Sequence, residues 1–248
     1  MAEADLHLDA LTEQLLQLRC RDSVSAEEEA AFAAAWDGLR RLPARKIFVT
    51  AKQPQSHSHL LVKGFVARTM LLADGSRQIV AFHVPGDFID LHSFLLTGVE
   101  HDLETLTPAT LALFPHERLR RLAQNHAHLA RLFWLMTLID AAIHREWILN
   151  IGRRRAPARL AHLFCELRVR LEIVGHADRT SYALPLTQID LSDATGLTPV
   201  HVNRVLRDLR NEGVVEFRSG EVRIHDLPRL EKLAEFDPYY LHVRIKPR

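Results

Sequence analysis

The chain has 248 residues, 47% of them apolar and 25% charged, which suits a protein with real cores and room for two compact domains. The net charge is only +1 at pH 7, but it is uneven: Glu27-Glu28-Glu29 lies in the first third, while Arg153-Arg154-Arg155 opens an arginine-rich half that could present a basic face to DNA. No apolar run is long enough to span a bilayer, the start MAEADLHLDA has no signal-peptide character, and Cys20 and Cys165 are too few and too far apart for a disulfide framework or zinc site, so a cytoplasmic, reduced protein is expected.

Residues 1–40 read as helical. Leu8, Leu11, Leu15 and Leu18 form one stripe and Ala30–Leu39 a second, an N-terminal extension over 1–44 that covers the next domain or joins a dimer. Residues 45–127 change to short strands. Lys46–Val49, Leu60–Val62, Phe65–Ala67, Gln78–Phe82 and Leu103–Phe114 are broken by turns at Lys63-Gly64 and Ala73-Asp74-Gly75-Ser76, which argues for a small barrel or sandwich. A helix follows over about 128–152. Leu129, Leu132, Phe133, Met136, Ile139, Ile143 and Trp147 recur at steps of three and four, and Leu132, Met136, Ile139, Ile143 and Trp147 are the expected seam between two subunits. The alternative is that this stripe packs only on its own barrel. Gly152 and Pro157 are expected to interrupt the helix and mark a hinge whose two arrangements a signal would bias. Ala158–Ile173 is a further helix within a last domain, 153–248.

Leu186–Ile224 is the most informative stretch. Leu186, Ile189, Leu191 and Ala194 give a first short helix an apolar side, and Gly196 ends it. Thr198 is a good N-cap and Pro199 suits the first helical position. Val202, Val205, Leu206 and Leu209 should face the core, and Asn211-Glu212-Gly213 closes the helix. A hairpin with a Ser219-Gly220 turn follows. This is the layout of a winged helix-turn-helix, which places its second helix in the major groove. The expected DNA-binding residues are Thr198, Pro199, Val200, His201, Asn203, Arg204, Arg207, Arg210 and Arg218. Arg204 is the foremost base reader, because arginine pairs with guanine O6 and N7; His201 and Asn203 are further candidates. Arg207, Arg210 and Arg218 suit phosphates, and the amides of Thr198–Val200 could hold another at the helix start. The bland reading is a structural helical hairpin beside a small sheet.

Taken with Asp74-Gly75-Ser76-Arg77, Pro85-Gly86-Asp87-Phe88-Ile89 and Arg159-Leu160-Ala161-His162-Leu163, this order resembles the cyclic-AMP receptor protein/fumarate-nitrate reductase regulator family of bacterial transcription factors over about Lys46 to Leu230. The resemblance implies an α+β chain: a cyclic-nucleotide-binding-like β-barrel (jelly roll), a long dimerisation helix and a C-terminal winged helix-turn-helix. It implies a homodimer on palindromic double-stranded DNA, with RNA polymerase as partner if the protein activates. The effector pocket would be lined by Gly86, Asp87, Asp90, Leu91, His101 and Asp102. Where cyclic-nucleotide binders carry Gly-Glu and Arg-Ser, this chain has Asp90-Leu91 and His101-Asp102, so cyclic AMP is not expected: Asp102 repels a phosphate and Leu91 cannot bind a ribose hydroxyl. Two cysteines cannot supply the four thiolates of an iron–sulfur cluster. In the recognition helix, many relatives carry Arg-Glu where this chain has Pro199-Val200, while Arg204 matches; Val200 would meet a thymine methyl.

Fifteen histidines, among them His57, His59, His83, His92 and His101, leave a haem- or metal-dependent sensor of the same fold as an alternative. A non-DNA nucleotide-binding regulatory subunit is another. Cys165 reads as a small core residue. An enzyme is not expected, since there is no P-loop, nucleophile elbow or kinase signature.

Overall fold

A computed structural model describes residues 24–243. The Leu8–Leu18 stripe and Cys20 lie outside the described residues. The chain divides into two compact units: one takes the residues up to Arg68 with Phe82–Asp140, the other Thr69–Ala81 with Ala141–His242.

The first unit opens with α1 (Ala26–Ala33), started by a capping box in which Ser25 and Glu28 satisfy each other's backbone amides. The helix ends sooner than the Ala30–Leu39 stripe suggests. Gly38 turns the chain with φ +117°, and Leu39–Leu42 becomes strand β1, paired antiparallel with Ala109–Ala112. Its apolar spacing of three suits a helix, and as a strand it buries Leu42 and leaves Leu39 exposed; the free edge of a neighbouring strand decides the outcome.

The remaining strands are β2 (Ile47–Val49), β3 (His57–Lys63), β4 (Val66–Leu71), β5 (Arg77–His83), β6 (Asp102–Thr105) and β7 (Ala109–Pro115). They form two sheets, ordered β1-β7-β3 and β2-β6-β4-β5. Side chains alternate across the first sheet with period two. Leu61 and Leu111 join Val66 and Leu103 of the other sheet in a core between the sheets. Leu60, Val62, Ala112 and Phe114 face the opposite way, onto α1, α2 (His116–Asn125) and the start of α3 (Ala127–Arg153). Gly64 makes the β3–β4 turn at φ +97°, where a Cβ would lie 2.5 Å from the Pro108 carbonyl oxygen, so no other residue fits without moving backbone. The β4–β5 turn is set by Asp74, whose carboxylate accepts from the Ser76 amide and hydroxyl.

Helix α3 is a continuous run of 27 residues, about 40 Å long at 1.5 Å per residue. It passes through Gly152, which does not break it. The interruption falls at Arg154-Arg155, and α4 (Ala156–Ile173) starts there with Pro157 in its first turn. This junction is tied rather than loose. Asn150 Nδ2 donates to the Arg159 carbonyl at 3.3 Å, Arg159 Nε to the Arg154 carbonyl at 2.8 Å, and Arg154 pairs with Glu146 at 2.6 Å. The buried Glu166 of α4 accepts from Trp147 Nε1, from Arg170 and from the Tyr240 hydroxyl. A buried carboxylate so surrounded holds α3, α4 and the C-terminal turn together.

The five residues expected at the subunit seam differ in burial. Leu132, Ile143 and Trp147 are buried within the chain, Met136 packs on the core beneath the first sheet, and Ile139 is half-buried. The exposed apolar side of α3 is the adjoining one: Trp134 (67% exposed), Leu138 (49%) and Ile148 (72%). The helix has two apolar faces, and the stripe that is densest in sequence is the one its own fold buries.

Candidate nucleic-acid interface

Helix α5 (Gln188–Thr195) begins with a second capping box, in which Thr187 and the buried Asp190 satisfy each other's amides. Gly196 ends it in the left-handed conformation, φ +65°. Thr198 then caps α6 (Pro199–Asn211), accepting from the His201 amide at 3.2 Å, with Pro199 at the first position. At 100° per residue, Val202, Val205, Leu206 and Leu209 share one face, and all four are buried. The opposite face carries Val200, Asn203, Arg204, Arg207 and Asn211, all exposed; Val200 is 82% exposed. His201 lies half-buried on the flank. The C-terminal end of α6 is held by α7 (Leu227–Ala234), where Arg229 donates to the Glu212 carbonyl and pairs with its carboxylate at 2.6 Å. Strands β8 (Ser181–Ala183), β9 (Val215–Arg218) and β10 (Glu221–Ile224) complete the wing in the order β8-β10-β9. Its turn puts Ser219 at φ 54° and Gly220 at φ 75°, the two positive values of a type I′ hairpin. Arg218 is exposed beside that turn, and Arg210 is exposed on α6.

The nine residues expected to meet DNA are therefore brought to one helix start, one helix face and one hairpin. Four other residues, not expected at the interface, shape it. Gln188 accepts a hydrogen bond from Asn203 Nδ2 at 3.2 Å, so the start of α5 is joined to the second turn of α6. Arg159 Nη1 donates to the Thr195 carbonyl at 3.0 Å, tying α4 to the last turn of α5. Arg77, on the β4–β5 hairpin, reaches Asp193 at 2.8 Å and Asp190 at 3.3 Å, while Gln78 donates to the Asp193 carbonyl at 2.6 Å. Arg77 and Arg159 lie inside motifs already picked out, but their partners are distant in sequence and carry no local signal.

The residues expected to line an effector pocket are engaged in the fold itself. Gly86 turns the chain at φ +86°. The Asp87 carboxylate accepts from the Val84 amide at 2.8 Å. Asp90 is buried and accepts from the His59 amide at 2.6 Å and from its ring at 2.7 Å. Its carboxyl is held below the usual range, since the His59 contacts outweigh the opposing effect of burial. Leu91 is buried in the core under the first sheet. Asp102 accepts from the Ala51 amide at 2.7 Å. His101 is buried, and burial together with the charge of Arg68 pushes it down to about 4. A cyclic nucleotide needs cations or donors for its phosphate and an acceptor for its ribose hydroxyl; Leu91 offers neither, and the carboxylates of Asp87, Asp90 and Asp102 serve the backbone. These residues do not fit that ligand.

Of the histidines that suggested a metal, His92 and His101 lie side by side, with ring centroids 6.0 Å apart. His57 bonds Ser56 and His59 bonds Asp90, and among the described residues no group of three or more His, Cys, Asp or Glu is placed to hold a metal ion. Cys165 is buried in α4, and burial pushes its thiol up to about 12, which makes it an inert core residue.

The chain matches two known domain families. Residues 39–126 match the cyclic nucleotide-binding domain, and residues 158–233 match the Crp-like helix-turn-helix domain. It is 28% identical over 181 residues to the transcriptional activator protein FnrL of Cereibacter sphaeroides, covering 71% of this chain and 72% of that protein. It is 28% identical over 175 residues to the nitrogen fixation regulation protein FixK of Bradyrhizobium diazoefficiens, covering 70% and 72%. Among solved structures, FixK2 from Bradyrhizobium japonicum superposes with a TM-score of 0.73 at 28% identity, covering 79% of this chain and 96% of that one.

Proposed function

We propose, for a chain that belongs to the Crp/Fnr-type transcription regulators, that it binds palindromic DNA as a homodimer in the cytoplasm and reads each half-site with the outer face of α6. The observation that carries this reading is the make-up of that face. It is capped, rigidly backed by four buried aliphatics, and presents two guanidiniums beside an apolar side chain that nothing covers. Arg204 donates two hydrogen bonds to a guanine, and Val200 packs on a thymine methyl. Arg207, Arg210 and Arg218 meet phosphates, which position the protein without reading sequence.

The second copy sits on the exposed side of α3. Positions 134, 138, 141, 145, 148 and 152 step by four and three, the spacing of a two-stranded coil, and include Trp134, Leu138, Ala141 and Ile148. A two-fold dimer matches the two-fold symmetry of a palindrome. RNA polymerase is the further partner if the protein activates transcription.

A gel-shift with genomic fragments at stated salt tests the reading. Retention of particular fragments by a dimer is expected. Uniform retention of every fragment, or of none, overturns it.

A further inference from the structure

We propose that Gln188 is a positioning residue for base recognition, orienting the Asn203 side chain so that Asn203 reads an adenine beside the guanine read by Arg204. The inference rests on the proposed DNA-binding role of α6 and deepens it.

Asn203 precedes Arg204 and shares its exposed face. An asparagine amide has a carbonyl oxygen and an NH2 group of nearly equal size. On an open surface the group turns over freely, exchanging donor for acceptor. Here Asn203 Nδ2 donates to the Gln188 carbonyl oxygen at 3.2 Å. That oxygen can only accept, so it selects the orientation with Nδ2 towards α5 and Oδ1 away from it. The backbone that carries the anchor is fixed. Gln188 is the first residue of α5, directly after Thr187, and Thr187 is locked to the buried Asp190 by bonds of 2.7 and 2.8 Å.

One hydrogen of Nδ2 is taken by Gln188. The second hydrogen and Oδ1 remain, a donor next to an acceptor. Adenine presents the complement in the major groove: N7 accepts and the N6 amino group donates. Guanine presents two acceptors there, so its O6 would face Oδ1 and be repelled. Thymine and cytosine cannot satisfy both groups. Holding the amide in one orientation also removes the entropy of choosing it on binding.

The test uses full-length protein and a half-site in which each base pair is varied in turn. Wild type is expected to show one position with adenine preferred by about 5- to 150-fold, the range for a bidentate pair. Asn203→Ala should abolish that preference and keep the guanine preference that depends on Arg204. Gln188→Ala should cut the adenine preference several-fold. Gln188→Glu, which keeps an acceptor, should preserve the ratio even if its charge weakens binding to every sequence. Gln188→Ala in the Asn203→Ala background should change the ratio no further. Replacing that adenine by 7-deazaadenine should weaken wild type and leave Asn203→Ala unaffected. A uniform loss across all sequences in Gln188→Ala, or an unchanged adenine ratio, overturns the proposal while leaving DNA binding by α6 intact. Absence of any sequence preference in wild type would overturn the DNA reading itself.

Discussion

At the scale of single residues, exposure and charge decide what α6 can do. Arg204→Ala should cost about 1–3 kcal/mol of discrimination at one guanine, read as a change in relative affinity among half-site variants. Loss spread equally over all variants would instead place Arg204 on a phosphate. A second residue contributes to the acid sensitivity of the fold. His162 is buried in α4, stacked on Tyr240 with ring centroids 5.9 Å apart, and burial together with the charge of Arg154 lowers it from 6.5 to about 3. The unfolded chain therefore takes up the proton first. Stability is complete above about pH 6.5 and falls as the pH drops from there towards 3. At pH 5 this one group costs about 2 kcal/mol. Urea midpoints at pH 7.5 and 5 should differ more in wild type than in His162→Phe, which keeps the stacking ring; equal differences would clear His162 of the effect. Residue roles were legible in sequence where the cause is local. Thr198, Pro199 and Gly196 could be assigned because caps and turns are settled within a few positions. Gln188 and Arg77 could not, because their partners lie 15 and more than 110 residues away.

At the scale of elements, α3 shows what periodicity can and cannot settle. Apolar steps of three and four announce a helix, and α3 runs from Ala127 to Arg153. They do not say which of two apolar stripes meets the chain's own core. The first stripe, with Leu132 and Phe133, joins Phe32 and Phe114 beneath the β1-β7-β3 sheet, and the second is left bare. The proposed dimer therefore depends on Trp134 and Ile148. Either Trp134→Asp or Ile148→Asp should shift the protein to monomer in sedimentation at micromolar concentration, with secondary structure retained by circular dichroism. Persistence of a dimer in the double variant would move the interface elsewhere. The same ambiguity hid β1. Leu39–Leu42 reads as the tail of a helix, yet Gly38 and the open edge of β7 make it a strand. Strands β3 to β5 were legible because Gly64 and Asp74-Gly75-Ser76 punctuate them, and the wing because Ser219-Gly220 does.

At the scale of the whole molecule, a near-neutral chain that presents only three arginines on its recognition helix should bind DNA only where shape and bases also agree. If two copies engage one palindrome, recognition helices about one DNA turn apart contact half-sites centred about 10 base pairs apart. Inserting 5 base pairs between the half-sites turns them to opposite faces of the duplex and should weaken binding about 100-fold, the loss of a second tethered contact. An unchanged affinity would mean that one half-site suffices. The domain order was legible because barrel, long helix and winged helix-turn-helix each carry their own turn chemistry. A ligand pocket was not, since a pocket is defined by which side chains remain free after folding. Asp90 and Asp102 illustrate the point, each holding a backbone amide through its carboxylate. A nucleotide site would consequently be difficult to build at these positions. Grafting arginine and serine onto positions 101 and 102 would strip the Ala51 amide of its acceptor and force a long cation into a buried imidazole's place. Such a graft should lower stability by about 1–3 kcal/mol and still not capture cyclic AMP, as a melting curve with and without the nucleotide would record. Here the carboxylates of Asp87, Asp90 and Asp102 serve as masonry, each bearing a backbone amide rather than meeting a ligand.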